Sequence, residues 1–149
     1  ARSSIFARGE GGFGGERGPS TKTELPDRTP DFDITTPTLP QQALLYRLCG
    51  DRNPLHSDPE FAKAAGFPAP ILHGLCTYGI ICKTATDNVL DSDAGRVTAF
   101  RARFAGVLFP GETLRSRIWR ENNRLIITAT AVERDDAPVL GDVMLEFDS

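Results

Sequence analysis

Phe32, Ile34 and Thr36 alternate with polar neighbours, the period of a half-buried strand. Thr38-Leu39-Pro40-Gln41 then reads as a helix start: Thr38 can cap, proline suits a first turn, and Gln41 completes a capping box. Ala43, Leu44, Tyr46, Arg47 and Leu48 carry this helix to Gly50, a natural stop. Residues 50–72 hold Pro54, Pro59, Pro68 and Pro70, which predicts a long irregular excursion with one helical turn over Pro59–Ala65. Ordered loops of that length are uncommon and usually functional. A second helix is predicted from His73 or Gly74 to about Leu90. Its first half, from Leu75 to Cys82, is apolar nearly all round, the pattern of a helix enclosed by protein.

Four strands are predicted next, over Val97–Ala105, Thr113–Arg120, Arg124–Glu133 and Val139–Phe147. Alternation is clear in Phe100, Ala102 and Phe104, and again in Leu114, Ser116 and Ile118. Pro110-Gly111 and Asn122-Asn123 are turn signals, and Asp135-Asp136-Ala137-Pro138 marks the last bend. Runs of helix followed by runs of strand predict an α+β fold. One apolar helix with an antiparallel sheet curled around it is the hot-dog arrangement. Residues 1–30 differ: Gly9, Gly11, Gly12, Gly14, Gly15 and Gly18 crowd among charges, as in a linker or arm. Ile5 and Phe13 are large apolar groups there that can dock on a surface. Gly12-Phe13-Gly14 is no dinucleotide loop, because no apolar strand precedes it and no helix follows. The expected organisation is therefore a glycine-rich arm over 1–30 and a single domain over 31–149.

Composition narrows the function classes. The chain has 149 residues, 40% apolar and 25% charged, and a net charge of -3. That charge gives no footprint for nucleic acid. No run approaches the roughly 20 apolar residues that span a bilayer, so no membrane insertion is expected. There is no secretory signal and no peroxisomal C-terminal tripeptide, and the expected location is cytoplasmic, or peroxisomal within a larger eukaryotic chain. Cys49, Cys76 and Cys82 have no framework spacing and read as reduced, half-buried thiols.

Asp51, Asn53 and His56 follow a predicted helix end on a proline-fixed turn. A carboxylate beside an imidazole can share a water, which is general acid–base equipment. Asn53 can orient either group. Asp-x-Asn-Pro is also a common turn sequence in which Asp51 caps the backbone, and His56 can be a structural histidine. A metal is not expected, because His56 and His73 are the only histidines and the spacing offers too few convergent ligands. Around Leu72-His73-Gly74-Leu75, a proline-rigid segment feeds a helix start, where the first N–H groups lack internal partners. Those groups can form an oxyanion hole at Gly74, or the glycine can serve tight packing alone. Arg101, Arg103, Arg115 and Arg117 alternate along two predicted strands as a solvated outer face, with CoA phosphate contact as the other reading.

Residues 46–62 resemble the signature of the R-specific enoyl-CoA hydratase (hydratase 2) family, within the MaoC-like dehydratases. The matching positions are Tyr46, Leu48, Cys49, Gly50, Asp51, Asn53, Pro54, Leu55, His56 and Ala62, and the His73-Gly74 pair opening a helix also fits. The resemblance covers about residues 30–149. It implies a hot-dog fold, and hydration of a trans-2-enoyl-CoA to the (3R)-3-hydroxyacyl-CoA. Asp51 and His56 would activate the water, Asn53 would support that water or the His56 side chain, and Gly74, with His73 and Leu75, would bind the thioester. Neither a metal nor a redox cofactor is implied, since CoA belongs to the substrate. The glycine-rich arm resembles the connector of two-repeat hydratases, which implies an N-terminal hot-dog half or a second subunit as partner. The alternatives are a carrier-protein dehydratase, a thioesterase, and a non-catalytic acyl-binding module on the same fold.

Overall fold

The computed structural model describes residues 2–5, 9–15 and 22–148. Arg8 and Gly18 of the glycine-rich arm lie outside the described residues, and Ile5 and Phe13 stand 91% and 88% exposed. Five strands form one antiparallel sheet: β1 (Phe32–Pro37), β2 (Val97–Phe104), β3 (Thr113–Glu121), β4 (Arg124–Ala131) and β5 (Ala137–Phe147), in the order β1-β3-β4-β5-β2. Three helices accompany it: α1 (Gln42–Tyr46), α2 (Pro59–Ala64) and α3 (Gly74–Val89). The expected turn residues make the bends. Gly111 has φ +94°, and Asn122, between β3 and β4, has φ 53°; both lie in the left-handed region that turns require.

Alternation decides which side chains enter the core. Leu125, Ile127, Ala129 and Ala131 of β4 and Leu114 and Ile118 of β3 point to one face and are buried there. Ile81, Ala85 and Val89 of α3 join the same buried cluster. Each fully buried branched side chain contributes about 1.5–3 kcal/mol of transfer free energy. The sheet curled around α3 is the expected hot-dog arrangement. The helix is less enclosed than its composition predicts, because Leu75 is 60% exposed and Gly79 lies on the same open side.

On the outer face, Trp119, Ile126 and Met144 are buried although they point away from α3. Residues 22–31 lie along that face. The indole Nε1–H of Trp119 donates to the Arg28 carbonyl at 2.8 Å, the Asp31 N–H donates to Ile118 O, and the Thr23 N–H donates to Asp142 Oδ1. Three arginines of the stripe form ion pairs: Arg115 and Arg117 meet Asp33 and Asp136, and Arg103 meets Asp142, while Arg101 is exposed.

The first helix departs from its predicted form. It starts at Gln42, with Gln41 in the cap position and no side-chain cap bond. The Thr38 hydroxyl instead donates to Glu112 O at 2.7 Å and accepts from the Gly111 N–H, so it ties β1 to the turn before β3. A contact between distant segments has overridden a local cap. After Tyr46 the helix tightens into a 3-10 turn over Arg47–Cys49, which Gly50 ends at φ 112°.

Candidate active site

The loop after Gly50 is built from local side-chain-to-backbone bonds. Asp51 Oδ1 accepts from the Asn53 N–H at 3.2 Å, and Asn53 Oδ1 accepts from the Leu55 N–H at 3.0 Å. Asn53 thereby caps a 3-10 turn over Pro54–His56 that has proline in its first position. Asp58 caps α2 in the same way, accepting from Glu60 and Phe61. The turn role weighed for Asp51 is thus present, and it occupies one carboxylate oxygen of an exposed side chain. Asn53 spends its side-chain oxygen on the turn, so its position acts on the loop.

The turn delivers His56 to the chain returning from α2. His56 Nδ1 lies 2.7 Å from the Ile71 carbonyl. A carbonyl only accepts, so Nδ1 carries the hydrogen and Nε2 is the atom left for chemistry. The half-buried His56 also lines a cavity of about 290 Å³ with Ser57, Pro40, Leu44, Pro70 and Phe109. Arg47 steadies this wall by donating to the Ser57 hydroxyl at 2.8 Å.

His73 stands at the cap position of α3 and is 1% exposed. Its ring stacks on His56 at 3.7 Å between centroids and 26° between planes, with Tyr46 on it at 4.7 Å. His73 Nε2 lies 3.2 Å from the Asp51 carbonyl, and Nδ1 is buried without a partner. An unpaired buried acceptor costs about 1–3 kcal/mol. Burial, the largest influence, pushes the His73 pKa below its ordinary value of 6.5. The hydrogen bond to Asp51 O opposes that shift, and the nearby His56 adds to it. Burial raises the Cys76 and Cys82 thiols, while Cys49 is exposed, so the cysteines are not uniformly half-buried.

One donor atom each from Asp51, His56 and His73 lies within 4.8 Å of the others. The sequence spacing alone did not predict this convergence. The loop's return past Ile71 produces it. The trio has the donor types for a metal, while His56 Nδ1 and His73 Nε2 each already face a backbone carbonyl. The arrangement suits proton transfer through a shared water.

Beside His73, the first amides of α3 are open. The N–H groups of Cys76 and Thr77 turn back to the His73 carbonyl, whereas those of Gly74 and Leu75 have no partner among the described residues. They sit at the positive end of the helix dipole. The Phe104 ring closes over Gly74, where an added Cβ would lie 2.8 Å from Phe104 Cε1. Sequence reasoning assigned no role to Phe104 or to the Ile71 carbonyl. The first meets Gly74 only through tertiary folding, and the second acts through its backbone, so neither leaves a side-chain signal.

The model of the MaoC like domain family matches residues 21–138. Enoyl-CoA hydratase ChsH3 of Mycobacterium tuberculosis is 63% identical over 142 residues, covering 95% of this chain and 50% of that protein. The 3-hydroxyacyl-thioester dehydratase Y of the same organism is 48% identical, covering 96% of this chain and 51% of that protein. The crystal structure of a MaoC-like dehydratase from Phytophthora capsici superposes with a TM-score of 0.83 at 37% identity, covering 91% of this chain and 48% of that one. The chain spans about half the length of these two curated relatives. It belongs to the MaoC-like domain family.

Proposed function

We propose that this chain is the catalytic hot-dog domain of an (R)-specific 2-enoyl-CoA hydratase, with Asp51 and His56 handling the water. The observation that carries the reading is the convergence of an Asp51 carboxylate oxygen and a His56 ring nitrogen within 4.8 Å, beside open amides at the start of α3. The relatives' names agree with it. One is called an enoyl-CoA hydratase and another a 3-hydroxyacyl-thioester dehydratase, the two directions of one reversible reaction.

In the hydration direction, the free oxygen of Asp51 takes a proton from water as the water oxygen bonds to C3. The C2=C3 electron pair moves toward the thioester, and its oxygen gains negative charge. The Gly74 N–H, and that of Leu75, offer donors already in place for that oxygen. His56 Nε2 delivers a proton to C2, which completes the 3-hydroxyacyl thioester. Asp51 then holds the water's proton and His56 lacks one, so a transfer across the short gap resets both. His73 and Leu75 frame the thioester site, and Asn53 holds the turn that aims both groups. The chemistry requires no metal and no redox cofactor.

The proposal includes a second hot-dog half or subunit. In support, the chain spans about half of each of the two mycobacterial relatives, and β2 pairs only with β5 among the described residues. An open sheet edge invites a partner.

The test follows the 2-enoyl absorbance of crotonyl-CoA and a decenoyl-CoA with the intact native protein, its Asp51→Asn and His56→Ala variants, and chiral analysis of the product. Loss of absorbance with (3R) product, abolished in both folded variants, supports the reading. Release of free CoA thiol would move the assignment to a thioesterase. Activity confined to carrier-protein thioesters would move it to a carrier-protein dehydratase.

A further inference from the structure

His73 is the group that neither turn chemistry nor the hydration steps consume, yet it touches both residues that do the chemistry. Its Nε2 reaches the Asp51 carbonyl at 3.2 Å and its ring face lies 3.7 Å from that of His56. Its backbone is fixed independently, because its own carbonyl receives the Cys76 and Thr77 N–H groups at the start of α3. Tyr46 of α1 also packs on the ring, 4.7 Å between centroids and tilted by 48°. The imidazole is therefore a plate anchored on the helix and gripped between α1 and the loop.

Resting on the assignment of Asp51 and His56 above, we propose that His73 is a positioning residue that sets the separation of Asp51 and His56 through its Nε2–H and its ring face. The tautomer follows from geometry: the carbonyl acceptor requires hydrogen on Nε2, which leaves Nδ1 as the bare, buried and unpartnered nitrogen. The charged and titratable groups around the ring are Asp51 and His56 from the loop, and Arg47 and Tyr46 from the α1 segment. Arg47 and His56 oppose a charge on His73, as burial does. A neutral His73 can face His56 while His56 cycles its proton; a cation there would repel the charged form. Packing alone does not explain an imidazole here. A phenyl ring would fill the slot without an orphaned nitrogen, but it could not hold the Asp51 carbonyl.

The experiment separates the two contacts in the intact native protein. His73→Phe keeps a ring face and loses the donor, whereas His73→Gln keeps a donor at the place of Nε2. The expected result is a fall in kcat of about 10²-fold for His73→Phe, the scale of a small misplacement of catalytic groups, with KM within about threefold of wild type. His73→Gln should recover most of that loss. In parallel, long-range proton–nitrogen NMR of wild type should show a neutral His73 with hydrogen on Nε2. Wild-type kcat in His73→Phe, a Gln variant no better than Phe, or hydrogen on Nδ1 would each overturn the proposal. The NMR arm decides it even if the Phe variant fails to fold. Asp51→Asn and His56→Ala run alongside. If they retain hydration, the functional reading fails and takes this inference with it. If they lose hydration while His73→Phe retains it, this inference alone fails.

Discussion

The loop over residues 50–73 and the sheet around α3 are built by opposite means. In the loop, near neighbours bond to one another: Asp51 to Asn53, Asn53 to Leu55, and Asp58 to Glu60 and Phe61. In the core, Ile118 faces Ile127 across a hairpin, Leu125 pairs with Leu145, and α3 packs on strands far along the chain. Asp51, Asn53 and Asp58 of the loop are exposed to solvent, while Ile81, Leu125 and Leu145 are fully enclosed. On the proposed function, chemistry and stability are thus held by different residues. A change in one region should leave the other's property nearly intact, and His73 is the place where they meet.

The hardest test of that separation strikes the loop. Asp51→Asn and His56→Ala are expected to lower hydration by about 10²–10⁴-fold each, the range for a positioned acid or base. Thermal unfolding should move little, since the amide oxygen that replaces the Asp51 carboxylate can still accept from the Asn53 N–H. A large drop in Tm together with activity would show that the loop is part of the core's stability. The complementary change is Ile81→Ala. Ile81 is 0% exposed in the centre of α3, and its truncation should cost about 2–5 kcal/mol in denaturant unfolding. Activity per folded molecule should persist at temperatures where the variant remains native.

A milder break lies on the outer face. Trp119→Phe keeps most of the apolar area but removes the 2.8 Å bond to the Arg28 carbonyl. The expected loss is about 0.5–1.5 kcal/mol. Proteolysis near residues 22–31 should quicken while hydration is unchanged. If cleavage is unaffected, the ion pairs from Arg28 to Asp31 and Glu121 hold that segment without the indole.

The last four strands were legible because alternation and turn residues agree: Leu114, Ser116 and Ile118 all point inward, and Asn122 makes the bend. Thr38 misled because its hydroxyl has two uses, and the long-range one, to Glu112 and Gly111, won. Leu75 and Gly79 look enclosed by composition, yet they form α3's open side. Asp51, Asn53 and His56 were legible as a group because they are contiguous and share one turn. The contacts that complete the site were not. His73 on His56, Ile71 O on His56 and Phe104 over Gly74 all depend on where the loop returns. Local sequence does not encode that path.

The smallest effect tests the meeting point itself. Burial holds the His73 pKa below 6.5, so the folded protein resists a proton that the unfolded chain accepts. Below about pH 6.5 the unfolded state therefore binds more protons, and stability must fall as pH falls. Above that pH the penalty vanishes, because the ring is neutral in both states. The carboxylates titrate in a lower window. Hydrogen bonds from Arg28, Arg115 and Arg103 hold Asp31, Asp33 and Asp142 below 3.8, and their contribution is lost only in stronger acid. Between pH 7 and pH 5, then, His73 supplies most of the slope among the groups whose shift is resolved, and Glu133, held below 4.5 by the Thr113 N–H, adds to it only near pH 5. His73→Gln has no such proton, so its Tm should change less over that interval than that of wild type. Equal slopes in the two proteins would mean that the His73 ring accepts a proton in the folded state, and would place water or polar contact at its Nδ1.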